Sequence, residues 1–364
     1  MMSTVIASEA KQSRARARMK MDCFVASLLA MTASRAKEAM MRGLIMAALA
    51  GATSLFAANT RAADAKPADH KPTIAVFTKN LTNPAYQAFR IAADRIAGAT
   101  GVKIVHFVPK QPDNVDEQIA MVDQVLHDKP DAVIFIPVDD VAMVPSVKKL
   151  NEAKIPVVLV SNPLPGNFVT YVGADDFEIG YREARYLFEN LGGKGKIVVI
   201  EGTPAAPTNR ERVRGYQRAF AEYPGIEVLG SGVGNYQQPD ARSVMQQFLK
   251  EHPQIDAALS ANDSMALGAL EALDDANRRA IVMGINGILP AVKQIEAGAM
   301  LASVDFNMFK IGCTATRAAV RHLKGEPLPE KIMLPAEVID KTNYKAWLVP
   351  VDQRDCPEWS EVVK

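Results

Sequence analysis

Asn262 and Asp263 stand where a chain can recognise a small polar molecule. The run Asp256 to Ser260 is short and apolar, as a buried strand would be. Met265, Ala266, Leu267, Ala269 and Leu270 then give the amphipathic start of a helix, with Gly268 small enough for close packing. The pair therefore falls at the carboxyl end of a strand and the amino end of a helix. Open parallel α/β sheets bind ligands at that place. The same place suits a helix cap, because the first turn leaves N–H groups without partners. Ligand contact and capping are both open to this pair.

Covalent and metal chemistry find no comparable support. The five histidines (His70, His106, His127, His252, His322) are scattered without ligand spacing, and GxSxG, HExxH and CxxC patterns are absent. Leu191 to Lys196, LGGKGK, follows a helical stretch and precedes a strand, the reverse of a phosphate loop, and reads as a helix C-terminal turn. Gly230 to Asn235, GSGVGN, lacks the acidic ribose contact of a dinucleotide fold. No metal and no cofactor is expected. Without a nucleophile–base pair, the chain is not expected to be an enzyme.

The elements that must position the polar pair repeat along the chain. Short apolar strands at Thr73–Phe77, 102–108, 132–137, 155–160 and 169–173 alternate with amphipathic helical stretches such as 85–97 and 115–126. A second series runs through 196–202, 226–232, 256–260, 281–286 and 301–306, with a Pro-bounded strand near 332–339. Near-continuous apolar strands joined by helices predict α/β architecture with parallel sheets buried on both faces. Two such series predict two doubly wound lobes, and turns after the strands would line a shared cleft.

Composition fits this reading. The 364 residues are 48% hydrophobic, 6% aromatic and 23% charged, with a net charge of +1. Residues 1–65 hold nine basic and four acidic residues, a surplus of +5, which leaves −4 for the remainder. A mildly acidic body argues against nucleic-acid binding. Met41 and Arg42, the apolar run Gly43 to Ala57 and Ala63-Asp64-Ala65 fit a secretory signal over about 41–65. Synthesis is expected to start at Met40 or Met41, with 1–40 an over-extended reading frame. The apolar run is too short to span a membrane comfortably. Cys313 and Cys356 remain after the leader, and an oxidising compartment would allow them either to pair or to stay as free thiols.

Four stretches, Thr78 to Phe89, Arg210 to Phe220, Asn262 to Leu270 and Met283 to Gly298, resemble in order and spacing the periplasmic sugar-binding proteins of ABC importers, typified by the ribose-binding protein. The resemblance covers about residues 72–342. It implies two Rossmann-like lobes joined by a three-crossover hinge, with the ligand cleft between them. The N-terminal lobe would be 71–174 plus 307–335, and the C-terminal lobe 175–306 plus 336–364.

The resemblance also implies a binding site. Asn83 and Tyr86 match the first loop, where Ala85 stands in place of an aromatic wall, and Lys79 would point to the cleft mouth. Ser161-Asn162 replaces the ribose-type Asp-Arg pair, and Asn286 replaces a carboxylate. Arg210 would be the cleft arginine and Asn262 the matching asparagine, with Asp263 the helix cap. Asp305 or Phe306 would take the place of a cleft glutamine, and Asn235 or Tyr236 would line the same wall. With two acidic positions lost, Arg210 would need a partner from Asp305 or from the ligand. A neutral sugar or polyol is therefore expected, with a sugar acid as the alternative ligand. The implied protein is a periplasmic monomer that delivers its ligand to an ABC permease. A sensory binding protein that presents ligand to a chemoreceptor or kinase is the alternative.

Overall fold

The computed structural model describes residues 70–363. The expected leader and its cleavage site lie outside these residues. Along the chain the strands are β1 (Thr73–Phe77), β2 (Lys103–Phe107), β3 (Ala132–Phe135), β4 (Val157–Val160), β5 (Thr170–Gly173), β6 (Lys194–Glu201), β7 (Gly225–Val233), β8 (Ala257–Ser260), β9 (Ile281–Ile285), β10 (Ala302–Asp305), β11 (Lys331–Met333) and β12 (Glu337–Ile339). The helices are α1 (Pro84–Thr100), α2 (Val115–Asp128), α3 (Val144–Glu152), α4 (Asp176–Asn190), α5 (Pro207–Glu222), α6 (Gln238–Glu251), α7 (Asp263–Asp275), α8 (Leu289–Ala297), α9 (Met308–Leu323) and the short α10 (Trp359–Val362).

The strands form two six-stranded sheets, ordered β11-β5-β4-β3-β1-β2 and β12-β10-β9-β8-β6-β7. Every pair is parallel except β10 with β12. Central strands β3, β4 and β8 are buried at every residue, as sheets covered by helices on both faces require. Each sheet is the centre of one lobe. The chain passes between them three times, at 174–175, 306–307 and 334–336. The expected single strand near 332–339 is in fact β11 and β12, one in each sheet. Pro335 between them has no N–H to give a ladder.

Local chemistry sets the helices that matter for the cleft. Asn83 caps α1 by accepting from the Ala85 N–H at 2.9 Å, Pro84 occupies the first turn, and Gly101 ends the helix with φ of 78°. Its buried face carries Ala85, Ala88, Phe89, Ala92, Ala93 and Ile96, the spacing of one helical stripe. Helices α4 and α5 cross with almost no side chain between them. A Cβ on Gly180 would meet the Arg212 carbonyl oxygen at 2.3 Å, and one on Gly215 would meet the Phe177 carbonyl oxygen at 2.3 Å. Gly268 of α7 likewise backs on the Gln238 carbonyl of α6, the close packing its sequence predicts.

The end of the chain departs from the expected division, which gave 336–364 to the C-terminal lobe. Residues 337–348 do follow it: β12 pairs with β10, and a 3-10 turn at Tyr344–Leu348 packs on α8. Beyond Pro350 the chain returns to the N-terminal lobe. Arg95 of α1 donates to the carbonyls of Asp352 and Arg354. Cys356 is disulfide-bonded to Cys313 of α9, with Cα atoms 5.7 Å apart. Arg321 of α9 sits 4.7 Å from the centroid of the Trp359 ring. Of the two outcomes open to Cys313 and Cys356 the structure shows the pair, while no local pattern in the sequence encodes the rest of the tail's path.

Candidate functional site

The carboxyl ends of strands from both sheets enclose a cavity of about 30 Å³. Asn80, Asn83, Tyr86, Asp113, Ser161, Asn162 and Met308 line it from the first lobe; Asp176, Thr208, Arg212, Tyr236, Asn262 and Asn286 line it from the second, and Phe306 stands at a crossover. At the rim, Arg210 reaches across to Asp140 at 2.5 Å, and the Thr82 hydroxyl donates to the Gln237 side chain at 3.3 Å. The lobes therefore touch around the cavity.

Seven of the expected positions line this space: Asn83, Tyr86, Ser161, Asn162, Asn262, Asn286 and Phe306. Asn162 donates to the Pro137 carbonyl at 2.7 Å, which leaves its amide oxygen for the cavity. Asn83 spends its oxygen on capping α1 and keeps its amide N–H groups. Asn262, not Asp263, caps α7, accepting from Met265 at 2.8 Å, and it also donates to the Tyr236 carbonyl at 3.2 Å. Asp263 is fully buried instead, holding the Ile288 N–H at 2.9 Å and the Ser303 hydroxyl at 2.7 Å. It fastens the loop after β9, where Asn286 sits with φ of 126°. The Asn286 side chain has no hydrogen-bond partner among the described residues. Ser161 and Tyr236 also have positive φ, at 59° and 58°. Non-glycine residues held this way gather at ligand clamps.

Four expected positions lie elsewhere. Arg210 is on the rim, 45% exposed, and the cleft cation is Arg212, two residues on and 4% exposed. Arg212 is in phase with the buried residues Asn209, Gly215, Tyr216 and Ala219 of α5, whereas Arg210 is out of phase. That phase was the available signal. Lys79 does not reach the cleft mouth. It is 2% exposed and ion-paired to Asp113 at 3.0 Å. Asn235 is exposed and donates to Asp240 at 3.0 Å, while its neighbour Tyr236 faces the cavity. Asp305 turns away and accepts from the Trp347 indole at 2.7 Å and the Asn307 N–H at 2.6 Å. Asp113, Asp176 and Thr208 join the wall without a motif of their own; long-range topology brings them there.

The electrostatics follow from these pairs. Arg212 donates Nε to Asp176 Oδ1 at 2.9 Å and Nη1 to the Ala261 carbonyl at 2.6 Å, and its Nη2 lies 2.8 Å from the same carboxylate oxygen. Its guanidinium stacks 5.4 Å from the Phe306 ring centroid. Burial would lower the Arg212 pKa, but Asp176 beside it, with Tyr236 and Tyr216, holds it above the usual range. Burial raises the Asp176 carboxyl, and Arg212 opposes that rise. Burial also raises the Tyr86 and Tyr236 phenols, which keeps both as neutral hydroxyls. The partner of the cleft arginine is thus Asp176, neither Asp305 nor a ligand. Arg212 and Lys79 are each paired with a carboxylate of the protein itself. What remains for a ligand is a set of amides, hydroxyls and carboxylate lone pairs beside apolar ring faces.

A family model for the periplasmic binding protein domain matches residues 74–327. The ribose import binding protein of Bacillus subtilis is 28% identical over 267 residues, 73% of this chain and 86% of that protein. The xylitol-binding protein of Mycolicibacterium smegmatis is 31% identical over 188 residues, 51% of this chain and 54% of that protein. Among solved structures, an ABC transporter periplasmic solute-binding protein from Actinobacillus succinogenes 130z with bound D-allose has a TM-score of 0.72 at 30% identity, covering 76% of this chain and 100% of that one. The chain therefore belongs to the periplasmic binding protein family, and its two-lobed architecture is that of the ribose-binding-protein-like members.

Proposed function

We propose that this protein captures a neutral sugar or polyol between its lobes in the periplasm and delivers it to an ABC import permease. The observation that carries this reading is the internal pairing of Arg212 with Asp176 and of Lys79 with Asp113. An anionic ligand would have to compete with a buried carboxylate for each cation, and would leave that carboxylate unpaired. A neutral polyhydroxylated ligand does not. Its hydroxyls can donate to the free Asn162 oxygen and to Asp176, and accept from Asn83 and Asn286. Its apolar face can lie against Tyr86 and Phe306. The relatives named for ribose and xylitol, and the relative solved with D-allose, support a ligand of pentose, hexose or pentitol size.

Capture would work by lobe closure. Each lobe alone offers half the hydrogen-bonding set, so a ligand gains most by bridging both and shifts the population toward the closed form. Arg210–Asp140 and Thr82–Gln237 would then form at the rim. Leu81 and Val141, 63% and 75% exposed on rim loops of the first lobe, would offer apolar contacts to the permease in that state. A thermal-shift screen of residues 66–364 tests the ligand class, because ligand that binds only the native state raises Tm. Neutral sugars or polyols should shift it. A shift with sugar acids alone would contradict the proposal.

A further inference from the structure

Ala85 is part of the wall of the cleft cavity. A second space of about 480 Å³ adjoins it, and the two share Ala85, Asn286 and Met308 as walls. Ala85 and Met308 are buried between the two spaces, and alanine at 85 leaves a thinner wall there than an aromatic side chain would. The walls of this second space are mainly apolar: Ala88 and Ile91 on α1, Leu289 at the start of α8, Phe309 on α9, and Val351 on the returning tail. Of the charged groups in its wall, Arg354 and Asp305 are already engaged and Asp352 is exposed to solvent. Arg354 donates to the carbonyls of Val349 and Trp347 at 2.9 and 2.8 Å, and Asp305 holds the Trp347 indole and the Asn307 N–H. The groove is thus an apolar neighbour of the polar cleft, built from both lobes and bounded on one side by a tail that the Cys313–Cys356 bond fixes in place. The Asn286 amide, unpartnered and held at φ of 126°, stands at the junction.

We propose that this groove is an extension subsite for an apolar aglycone, so that the protein accepts sugars carrying an alkyl or aryl substituent as well as the bare ring. The proposal rests on the sugar-binding reading above. The sugar hydroxyls would occupy the polar cavity, Asn286 would bond the bridging region, and the substituent would pass Ala85 into the groove. Burial of its apolar surface there supplies added affinity.

The test is isothermal titration of the full mature chain with D-ribose, D-allose, D-glucose and D-galactose, each beside its α and β methyl and phenyl glycosides. For a sugar that binds, one phenyl glycoside anomer should bind at least tenfold more tightly than the free sugar. Val351→Trp and Leu289→Trp, which fill the groove without touching the polar cavity, should each remove that gain and leave the free sugar within about twofold. Two variants from different elements guard against a folding defect in one. Binding of the free sugars with no binding of any phenyl glycoside would overturn the subsite and leave the sugar reading intact. A glycoside gain unchanged in both variants would overturn it as well. No binding of any sugar or glycoside would overturn the subsite, and with a blank thermal-shift screen of neutral sugars and polyols it would overturn the sugar reading as well.

Discussion

At the scale of single residues, the difference between Arg210 and Arg212 carries the most consequence. Both are arginines in one short run, and only helical phase separates a rim residue from a buried one. Arg212→Ala would leave Asp176 buried without its cation and strip the support from Phe306. Urea unfolding should show a loss of about 3–5 kcal/mol, typical of breaking a buried pair, and titration with the bound sugar should show weaker binding at equal folded fraction. Arg210→Ala removes an exposed pair and should cost only about 0.2–1 kcal/mol of stability. Equal losses would contradict the assignment. A second residue-scale feature lies beneath the site. Glu183 is fully buried, accepts the Tyr216 hydroxyl, and its carboxyl is pushed up by burial to about 8. Burial also raises Asp263 to about 7 and Asp305 to about 6. Each of these carboxyls therefore binds its proton more tightly in the folded state than in the unfolded one. The sign follows: their contribution to stability is fully present below about pH 4 and is lost as pH rises through about 8. Tm should fall between pH 5.5 and pH 8.5, and Glu183→Gln should flatten the upper part of that fall. A Tm that rises over this range would contradict it.

At the scale of elements, most of the architecture is legible in the sequence. Parallel strands buried on both faces read as apolar runs, and Gly268 signals the close approach of α6 and α7. The crossing of α4 and α5 was less visible, since Gly180 and Gly215 carry no pattern until the two helices are seen together. That crossing sets Asp176 against Arg212. Gly215→Ala should force the backbones apart and destabilise by about 1–3 kcal/mol, measured by urea unfolding, with weaker ligand binding at equal folded fraction. Unchanged stability would mean that the helices can separate freely. The site was legible where local pattern marks it. Asn83, Asn262 and Asn286 each follow a strand end or open a helix. Asp113, Asp176 and Thr208 were not legible, because their place depends on which strand ends the topology brings together. Lys79 misled for a related reason: its cleft-mouth reading ignored Asp113, which arrives from the loop after β2.

At the scale of the whole molecule, the tail is the feature that no periodicity foretold. It leaves the second lobe at Trp347, crosses back, and is fixed to the first lobe by Cys356. The bond closes 43 residues, for which chain entropy gives about 4 kcal/mol. Cys313→Ser should lower Tm by on the order of 5–10 °C relative to the oxidised wild type. No change would mean that the tail adds nothing to the fold. The same return path places Val351 against the apolar groove beside the cleft. Closure of two lobes on a neutral ligand is the central claim, and small-angle X-ray scattering tests it most directly. With the sugar or polyol that gives the largest thermal shift, the radius of gyration should fall at saturation. Saturation by that ligand with no change in radius would contradict the account.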